Sequence, residues 1–449
     1  MTLRSISSLK MHEFIVQQSI FAVLVTMALG IAADNPPPVP APVTDEVNKW
    51  MPAWVKLSGE ERVRYENLDH VGFAPVADGY LLQRLRLNLD VKPASWIRFS
   101  FQAQDSRVYG QNTLPAPATQ KDGLDLRIGY VEFGTEAGKV ALRVGRQQIV
   151  FGESRLLGDP DWSNVGRTFD AARLTLRSTA GKLDLFTGAY VKIDPLSFSE
   201  PVPSQHFHGI YATLTKIVPK ASIEPYLFWR LEHNLKNEAG QAGNVDQRTV
   251  GVRFAGKLPW ALDYSLEAIE QNGSYAGDAI AAWATHSLLG YTLPVPLQKV
   301  RVYGEWNQAS GDKALKDGRH QGFDQLYPAA HDKLGFADLF GWSNIQHFRS
   351  GFEYKAHPRL TILAATNGYW LQSATDGVYN LSGRLIARST TGMAGTHVGT
   401  EFDLQGKWTV RPGSVVFAGY GRLLPGEFLK HTTSGLSYNL VTIGLTQRF

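Results

Sequence analysis

What most constrains this chain is an alternation of apolar and polar residues with period two, running from Trp54 to the C-terminus, the mark of strands with one apolar and one polar face. "YLLQRLRLNLDV" sets Leu85, Leu87, Leu89 and Val91 on one face and Arg84, Arg86, Asn88 and Asp90 on the other. After the turn "KPAS", "WIRFSFQAQ" repeats the pattern, with Ile97, Phe99, Phe101 and Ala103 against Arg98, Ser100, Gln102 and Gln104. The apolar face carries no charge. In a soluble sandwich that face would meet a core and the charged face solvent, yet such domains rarely run to so many strands in succession. In a transmembrane barrel the apolar face meets lipid and the polar face lines a lumen.

The connections choose between these. Short links recur at every second junction, at 92–95, 134–138, 178–181, 216–220, 257–259, 294–298, 355–359 and 406–413. Longer polar segments fill the alternate junctions, around 66–79, 106–124, 149–167, 193–207, 232–246, 271–278, 308–344, 372–396 and 424–435. The pattern predicts an all-β fold: a single transmembrane antiparallel β-barrel of about 18 strands, each of about 9–11 residues, with short periplasmic turns and long extracellular loops.

The N-terminus agrees. Arg4 and Lys10 precede the apolar stretch Ser19 to Ala33, which ends in small residues. Its core of about fourteen residues falls short of the roughly 20 that a spanning helix needs. Residues 1–33 are therefore expected to be a secretory signal peptide, 34–53 a Pro-rich periplasmic lead-in and 54–449 the barrel. The last strand, "SYNLVTIGLTQRF", alternates Val441, Ile443, Leu445 and Phe449 outward against Thr442, Gly444, Thr446 and Arg448. A terminal Phe449 on the lipid side resembles the assembly signal of bacterial outer-membrane proteins, which makes the barrel-assembly machinery and outer-membrane lipid expected partners. The expected location is the bacterial outer membrane.

The chain has no cysteine, which removes disulfides, thiolate metal sites and cysteine nucleophiles. Its 45 basic against 41 acidic residues make no case for a nucleic-acid partner. No HExxH, GxSxG, Walker-type or GxGxxG motif is present, and the reading names no catalytic residue and no cofactor. The acidic segment 308–344, with Asp312, Asp317, Asp324, Asp332, Asp338, His320 and His331, matches no calcium loop and is expected to be a solvated surface loop with no metal.

The polar face supplies the candidate site. On the first strand Lys56, Ser58, Glu60, Arg62, Arg64 and Glu66 share one side; with Arg84, Arg86 and Arg98 they make a ladder of inward cations on three consecutive strands. Such a ladder either cross-links the wall through Arg–Glu pairs or forms an electropositive conduit of many weak anion sites, the balance that conduction requires. Tyr130 and Glu132 are expected to face the lumen, and a parity break near Gly129 leaves Arg127 unassigned. A second break at Gly145 is expected to turn Arg146 inward.

The stretch "GRQQIVFGESRLLGDPDWSNVGRTFDA" (145–171) concentrates Arg146, Arg155 and Arg167 with Glu153, Asp159, Asp161 and Asp170 around Trp162. Glu153 and Asp161 would suit a glycosidase-like pair, but no further motif supports one. As a loop folded into the barrel mouth, the segment would form a charged eyelet from Arg155, Arg167, Asp159, Asp161 and Asp170.

"LRVGRQQIVFG", "RLLG", "DWSNVGRTFDAARL" and the segment 310–346 resemble the alginate-export family of outer-membrane barrels, across essentially the whole mature chain. The resemblance implies an eighteen-stranded monomeric barrel with an electropositive lumen that passes a polyuronate passively. It implies lumenal Lys56, Arg86 and Arg146 with acidic partners Asp161 or Asp170. Periplasmic export proteins would be further partners. The alginate exporter proper also carries a substantial periplasmic plug near its C-terminal strands, and the corresponding link here, 406–413, is short. The expected function is an outer-membrane channel for anionic saccharide, with an uptake porin for small organic acids or other nutrients as the alternative and a barrel hydrolase behind both.

Overall fold

The structure, a computed structural model, describes residues 43–449 except 112, 136–137, 238, 295–298 and 315. The expected signal segment 1–33, residues 34–42 of the lead-in and parts of the 134–138 and 294–298 links lie outside the described residues. The end of the lead-in forms a helix, α1 (Val43–Trp50), held to the barrel where the Asn48 amide group both donates to the Leu57 carbonyl and accepts from the Leu57 N–H, each at 2.8 Å.

Eighteen antiparallel strands close on themselves. The first nine are β1 (Val55–Asp69), β2 (Asp78–Ala94), β3 (Ile97–Tyr109), β4 (Asp122–Gly134), β5 (Val140–Gln147), β6 (Phe169–Arg177), β7 (Gly181–Lys192), β8 (Gln205–Leu214) and β9 (Ala221–Lys236). The rest are β10 (Ala242–Leu258), β11 (Leu262–Tyr275), β12 (Asp278–Thr292), β13 (Lys299–Ala309), β14 (Ile345–His357), β15 (Leu360–Leu371), β16 (His397–Arg411), β17 (Ser414–Pro425) and β18 (Tyr438–Arg448). Each pairs with its sequence neighbours, and β1 pairs with β18 from Glu60↔Arg448 to Asp69↔Asn439, which removes both sheet edges. At the seam the Phe449 ring lies over Gly59, where a Cβ would stand 2.4 Å from it. Their backbones exchange two hydrogen bonds of 2.6 and 3.0 Å.

Alternation sorts the two faces as the period predicts. Leu87, Phe101, Leu142, Val250, Leu266, Phe352, Phe402 and Leu445 are exposed on the outer wall, while their neighbours Arg84, Arg86, Gln104, Glu267, Glu401 and Thr442 are buried. Exposed aromatics mark both interfaces, Trp54, Trp96, Trp260 and Tyr291 at the short-turn end and Tyr65, Tyr109, Trp229 and Trp283 at the long-loop end.

Three expectations need correction. Strands run from 8 residues in β5 to 17 in β2 and β10, beyond the 9–11 a bilayer requires. The segments 232–246 and 271–278 are therefore mostly paired hairpin ends, because the ladders continue past the membrane. Ala276 and Gly277, both at positive φ (47° and 98°), make the two-residue turn between β11 and β12 that the strand twist favours. The acidic segment 310–344 is not a solvated loop: Phe323, Leu334, Phe336, Phe340 and Trp342 are buried and carry it into the barrel. There they join Ile149, Phe151, Leu156 and Leu157 of the 148–168 loop, and Phe169, Phe186, Phe207, Tyr211, Tyr226 and Phe228 on the inner wall of β6–β9, in one apolar cluster. Loops packed inside give an inward face something apolar to cover, so this part of the lumen wall is aromatic rather than polar.

Candidate functional site

The 148–168 loop crosses the bore as a bar. Its near end, residues 159–165, lies against β1, β2 and β4, and its far end, residues 153–155, against β10 and β13, about half the barrel's strands away.

At the near end the arginine ladder grips the loop backbone. Arg62 donates to the carbonyls of Asp161 (2.7 Å), Trp162 (3.1 Å) and Ser163 (2.8 Å). Arg64 donates to the Trp162 carbonyl at 2.5 Å, pairs with Glu66 at 2.7 Å and lies 4.0 Å over the Trp162 ring. Arg84, 1% exposed, reaches the carbonyls of Asp161 and Ser163 and pairs with Glu60 at 2.5 Å. Arg86 binds the Asp161 carboxylate at 2.6 Å and Gln104 at 2.7 Å. Arg62 and Arg84 stand directly opposite each other across β1 and β2. Like charges so placed destabilise a sheet; the shared loop carbonyls offset the repulsion.

Arg127, left unassigned by the sequence, completes this end. A bulge between the Gln102↔Ile128 and Ala103↔Leu126 pairs turns it inward, where it donates to Gln102 and Asp159 at 2.6 Å each. Gly166, at φ 89°, lets its guanidinium approach, since a Cβ there would stand 2.9 Å from two of its nitrogens. Asn164 fixes the loop to the wall, donating to the carbonyls of Gln83, Arg107 and Gln120.

At the far end Arg155, 6% exposed, pairs with Glu305 at 2.6 Å and Glu153 at 3.3 Å, and Glu153 accepts from Arg253 at 2.9 Å. The 310–344 loop buttresses the bar: Arg167 donates to the Pro328 carbonyl at 2.8 Å, the Trp162 and His331 rings stack 3.9 Å apart, and Arg349 holds Asp332 at 2.6 Å.

The remaining expected residues lie elsewhere. Arg98 pairs with Asp90 at 2.6 Å, and Glu132 accepts from Arg143 at 2.5 Å, both below the bar on the inner face. Lys56 is exposed and has no side-chain partner among the described residues. Arg146 and Asp170 do not join the lumenal set. The β5–β6 register runs unbroken from Val140↔Leu176 to Gln147↔Phe169, so both share the outer face with Val144 and Ala172 and pair there at 2.9 Å. Gly145, at φ 123°, absorbs the strain without an inserted residue, because no Cβ meets the Gly129 carbonyl 2.3 Å away. The expected inward turn therefore never occurs.

Sequence reasoning missed Arg143, Arg173, Arg253, Glu305 and Arg349, all on the inward parity of their strands. Extending the count of alternating polar positions beyond the first three strands would have found them. Above the bar, facing the long loops, a cavity of about 520 Å3 is lined by Arg167, Tyr190, Arg230, His320, Tyr327 and Tyr379 among others. Among the described residues no three His, Asp or Glu side chains are grouped to hold a metal ion.

Partial burial raises the Asp161 carboxyl pKa, but the guanidinium groups of Arg84, Arg86 and Arg62 outweigh it and hold the group well below its ordinary value. Burial likewise raises Glu153, and Arg155, Ser265 and Arg253 outweigh it. Depressed values mean that the stability these groups give the bar is fully present above the ordinary carboxylate range, near about pH 4, and is lost only as pH falls below it. Single-channel conductance is therefore expected to hold constant from neutral pH down to about pH 5 and to change only under stronger acid. A transition between about pH 5 and 7 would show that other groups hold the bar.

A closed barrel with an apolar belt, aromatic girdles and loops folded into its bore is an outer-membrane channel of the porin type. A family model described as alginate export matches residues 53–441, and the chain belongs to that family. Among solved structures it is similar to Pseudomonas aeruginosa OccK11 (OpdR), with a TM-score of 0.58 and 10% identity over 88% of this chain and 96% of that one. Acinetobacter baumannii OccAB1 matches with a TM-score of 0.58 and 12% identity over 88% and 96%. Pseudomonas aeruginosa OpdK with vanillate matches with a TM-score of 0.57 and 11% identity over 88% and 98%. At such identities the likeness is one of fold. No curated protein matches the sequence.

Proposed function

We propose that the barrel passes anionic saccharides, one chain wide, along the β1–β4 side of the bar. The supporting observation is the polarity of the bar's two ends. At the near end five guanidinium groups, Arg62, Arg64, Arg84, Arg86 and Arg127, face the four carboxylates of Glu60, Glu66, Asp159 and Asp161. At the far end the four carboxyl groups of Glu153, Glu224, Glu267 and Glu305 outnumber the three cations Arg155, Arg253 and Lys333. An anion is therefore drawn to one wall and repelled from the other. Most ladder arginines are already bonded to the loop, so each site stays weak, as conduction requires.

The reading assigns no catalysis. Glu153 and Asp161 sit at opposite ends of the bar, each ionised by neighbouring guanidinium groups, whereas a glycosidase pair needs one carboxyl kept protonated within about 5–9.5 Å of the other.

A second reading, uptake of small organic acids, is favoured by the Arg167 cavity. Among the described residues that guanidinium has one side-chain hydrogen bond, to the Pro328 carbonyl, and no carboxylate partner, and it lies 5.7 Å from the centre of the Tyr327 ring. A solved neighbour of similar fold holds vanillate.

The experiment is the reversal potential in planar bilayers under a salt gradient, with added oligouronates. Anion selectivity and oligouronate block are expected in the native protein, both reduced in Arg86→Ala and both unchanged in Arg146→Ala, whose side chain lies on the outer face. Cation selectivity would overturn the proposal, and anion selectivity with block by monocarboxylates alone would favour the second reading.

A further inference from the structure

On several strands the lumen-facing positions end, at the short-turn mouth, in a lysine; on β7 that lysine, Lys182, is held by Asp184 at 3.0 Å, whereas others are not so held. Lys56 on β1, Lys257 on β10, Lys299 on β13, Lys355 on β14 and Lys407 on β16 all continue the inward parity of residues buried higher up, such as Arg62, Arg253, Glu305, Arg349 and Asp403. Lys139, just before β5, continues that of Ala141 and Arg143. All six are exposed.

Their partners set them apart from the arginines deeper in the bore. Arg98, Arg143, Arg301 and Arg349 each hold a carboxylate at 2.5–2.6 Å. Among the described residues only Lys355 of the six forms an ion pair, with Glu353 at 3.9 Å; Lys56 and Lys257 stand opposite Asp90 and Asp263, carboxylates that Arg98 and Arg301 already hold, and apart from Lys355 the lysines have no side-chain hydrogen bond or ion pair there. Lys299 and Lys355 stand directly opposite each other across β13 and β14. That pairing of like charges costs stability, and among the described residues no loop carbonyl offsets it as one does for Arg62 and Arg84. At the long-loop end the inward groups include the buried carboxylates Glu66, Asp78, Asp122 and Glu232, of which Glu66 is paired with Arg64 and Glu232 with Arg230.

The geometry points to a capture collar: we infer that these lysines at the periplasmic mouth recruit a linear polyanion presented from the periplasm and feed it to the arginine wall. This deepens the proposed passage of anionic saccharide and rests on it. Cations on five strands and at the start of a sixth, around one rim, suit a chain of repeated carboxylates. Each contact is weak, but several act together once the chain is held. Lysine suits this capture role, since a mobile ammonium engages successive carboxylates without the fixed fork of a guanidinium. The charge difference between the two mouths gives the channel a loading side.

The test uses the full-length protein in planar bilayers at low salt, with linear oligogalacturonate added to one side at a time. Orientation is set by a protease site placed beside Met393, which is exposed in the 372–396 loop. Blocking events are expected about tenfold or more often from the periplasmic side, in the range that electrostatic focusing supplies. In a variant carrying Lys139→Gln, Lys257→Gln, Lys299→Gln and Lys407→Gln, that excess is expected to fall to near parity through loss of periplasmic-side events alone. Equal block from both sides of the native protein, or an excess that survives in the variant, would overturn the collar while leaving polyanion passage standing. Absence of block from either side in both proteins would overturn the passage and the collar together.

Discussion

An Arg155→Ala protein is expected to lose the far anchor of the bar, with the largest stability change of any single substitution in the lumen. Arg155 and Glu305 are 6% and 5% exposed and 2.6 Å apart. Removing one partner of such a pair leaves an uncompensated buried charge and costs about 3–5 kcal/mol. Among the described residues Glu305 would keep Asn307, at 2.9 Å, nearby histidines and the more distant charge of Arg349, opposite it in the sheet. The measurements are the urea midpoint of the protein folded into lipid vesicles and its single-channel conductance. The midpoint should drop and the conductance should rise and become noisy as the bar swings from its near end. Adding Glu305→Gln should recover part of the stability, because the stranded charge is then gone. An Arg155→Ala channel with unchanged conductance and midpoint would show that the bar is held by its apolar contacts alone.

Arg84→Ala should loosen the near end. It removes two carbonyl contacts, the Glu60 pair and the contact with the Asp161 carboxylate at 3.1 Å. Hydrogen bonds to charged groups contribute about 1.5–3 kcal/mol each at most, and relief of the Arg62 repulsion returns some of this, so a net loss of about 2–3 kcal/mol is expected. The effect on permeation differs in kind from that of Arg155→Ala. One fewer guanidinium at the near end leaves four against four carboxylates, so anion selectivity should fall even as conductance rises. A rise in both would place the selective wall elsewhere. Combined with Arg155→Ala, the loss should exceed the sum of the two, since each anchor limits the motion that the other permits.

These arginines show how far a one-dimensional reading reaches. Period two assigned Arg62, Arg64, Arg84 and Arg86 to the lumen face, because a strand's side-chain direction is a local property of its backbone. Their partners are about a hundred residues away for Arg62 and Arg64 and lie on loop carbonyls, which carry no sequence signature. The ladder therefore looked like an open conduit, whereas it is largely engaged in holding the bar. Arg127 and Arg146 mark the other limit. Both sit within two residues of a glycine at an irregular point, yet only the first is turned by a bulge; whether the strand inserts a residue or merely bends there depends on the register of the neighbouring strand. The aromatic inner wall of β6–β9 was legible in principle, since strands such as β7 have Leu183 and Leu185 outward and Phe186 inward. Two apolar faces on a barrel strand signal a loop packed within.

By itself the sequence determined the all-β barrel, its strand number, the placement of its long and short connections and the face on which each regular residue lies. All of these follow from alternation and from the hydrogen bonds that a membrane-spanning backbone must satisfy between strands. Only the tertiary structure decided which loops enter the bore, which cations they neutralise and which remain unpaired. Those outcomes depend on contacts between segments far apart in the chain, where charge compensation and packing, not periodicity, choose the partner.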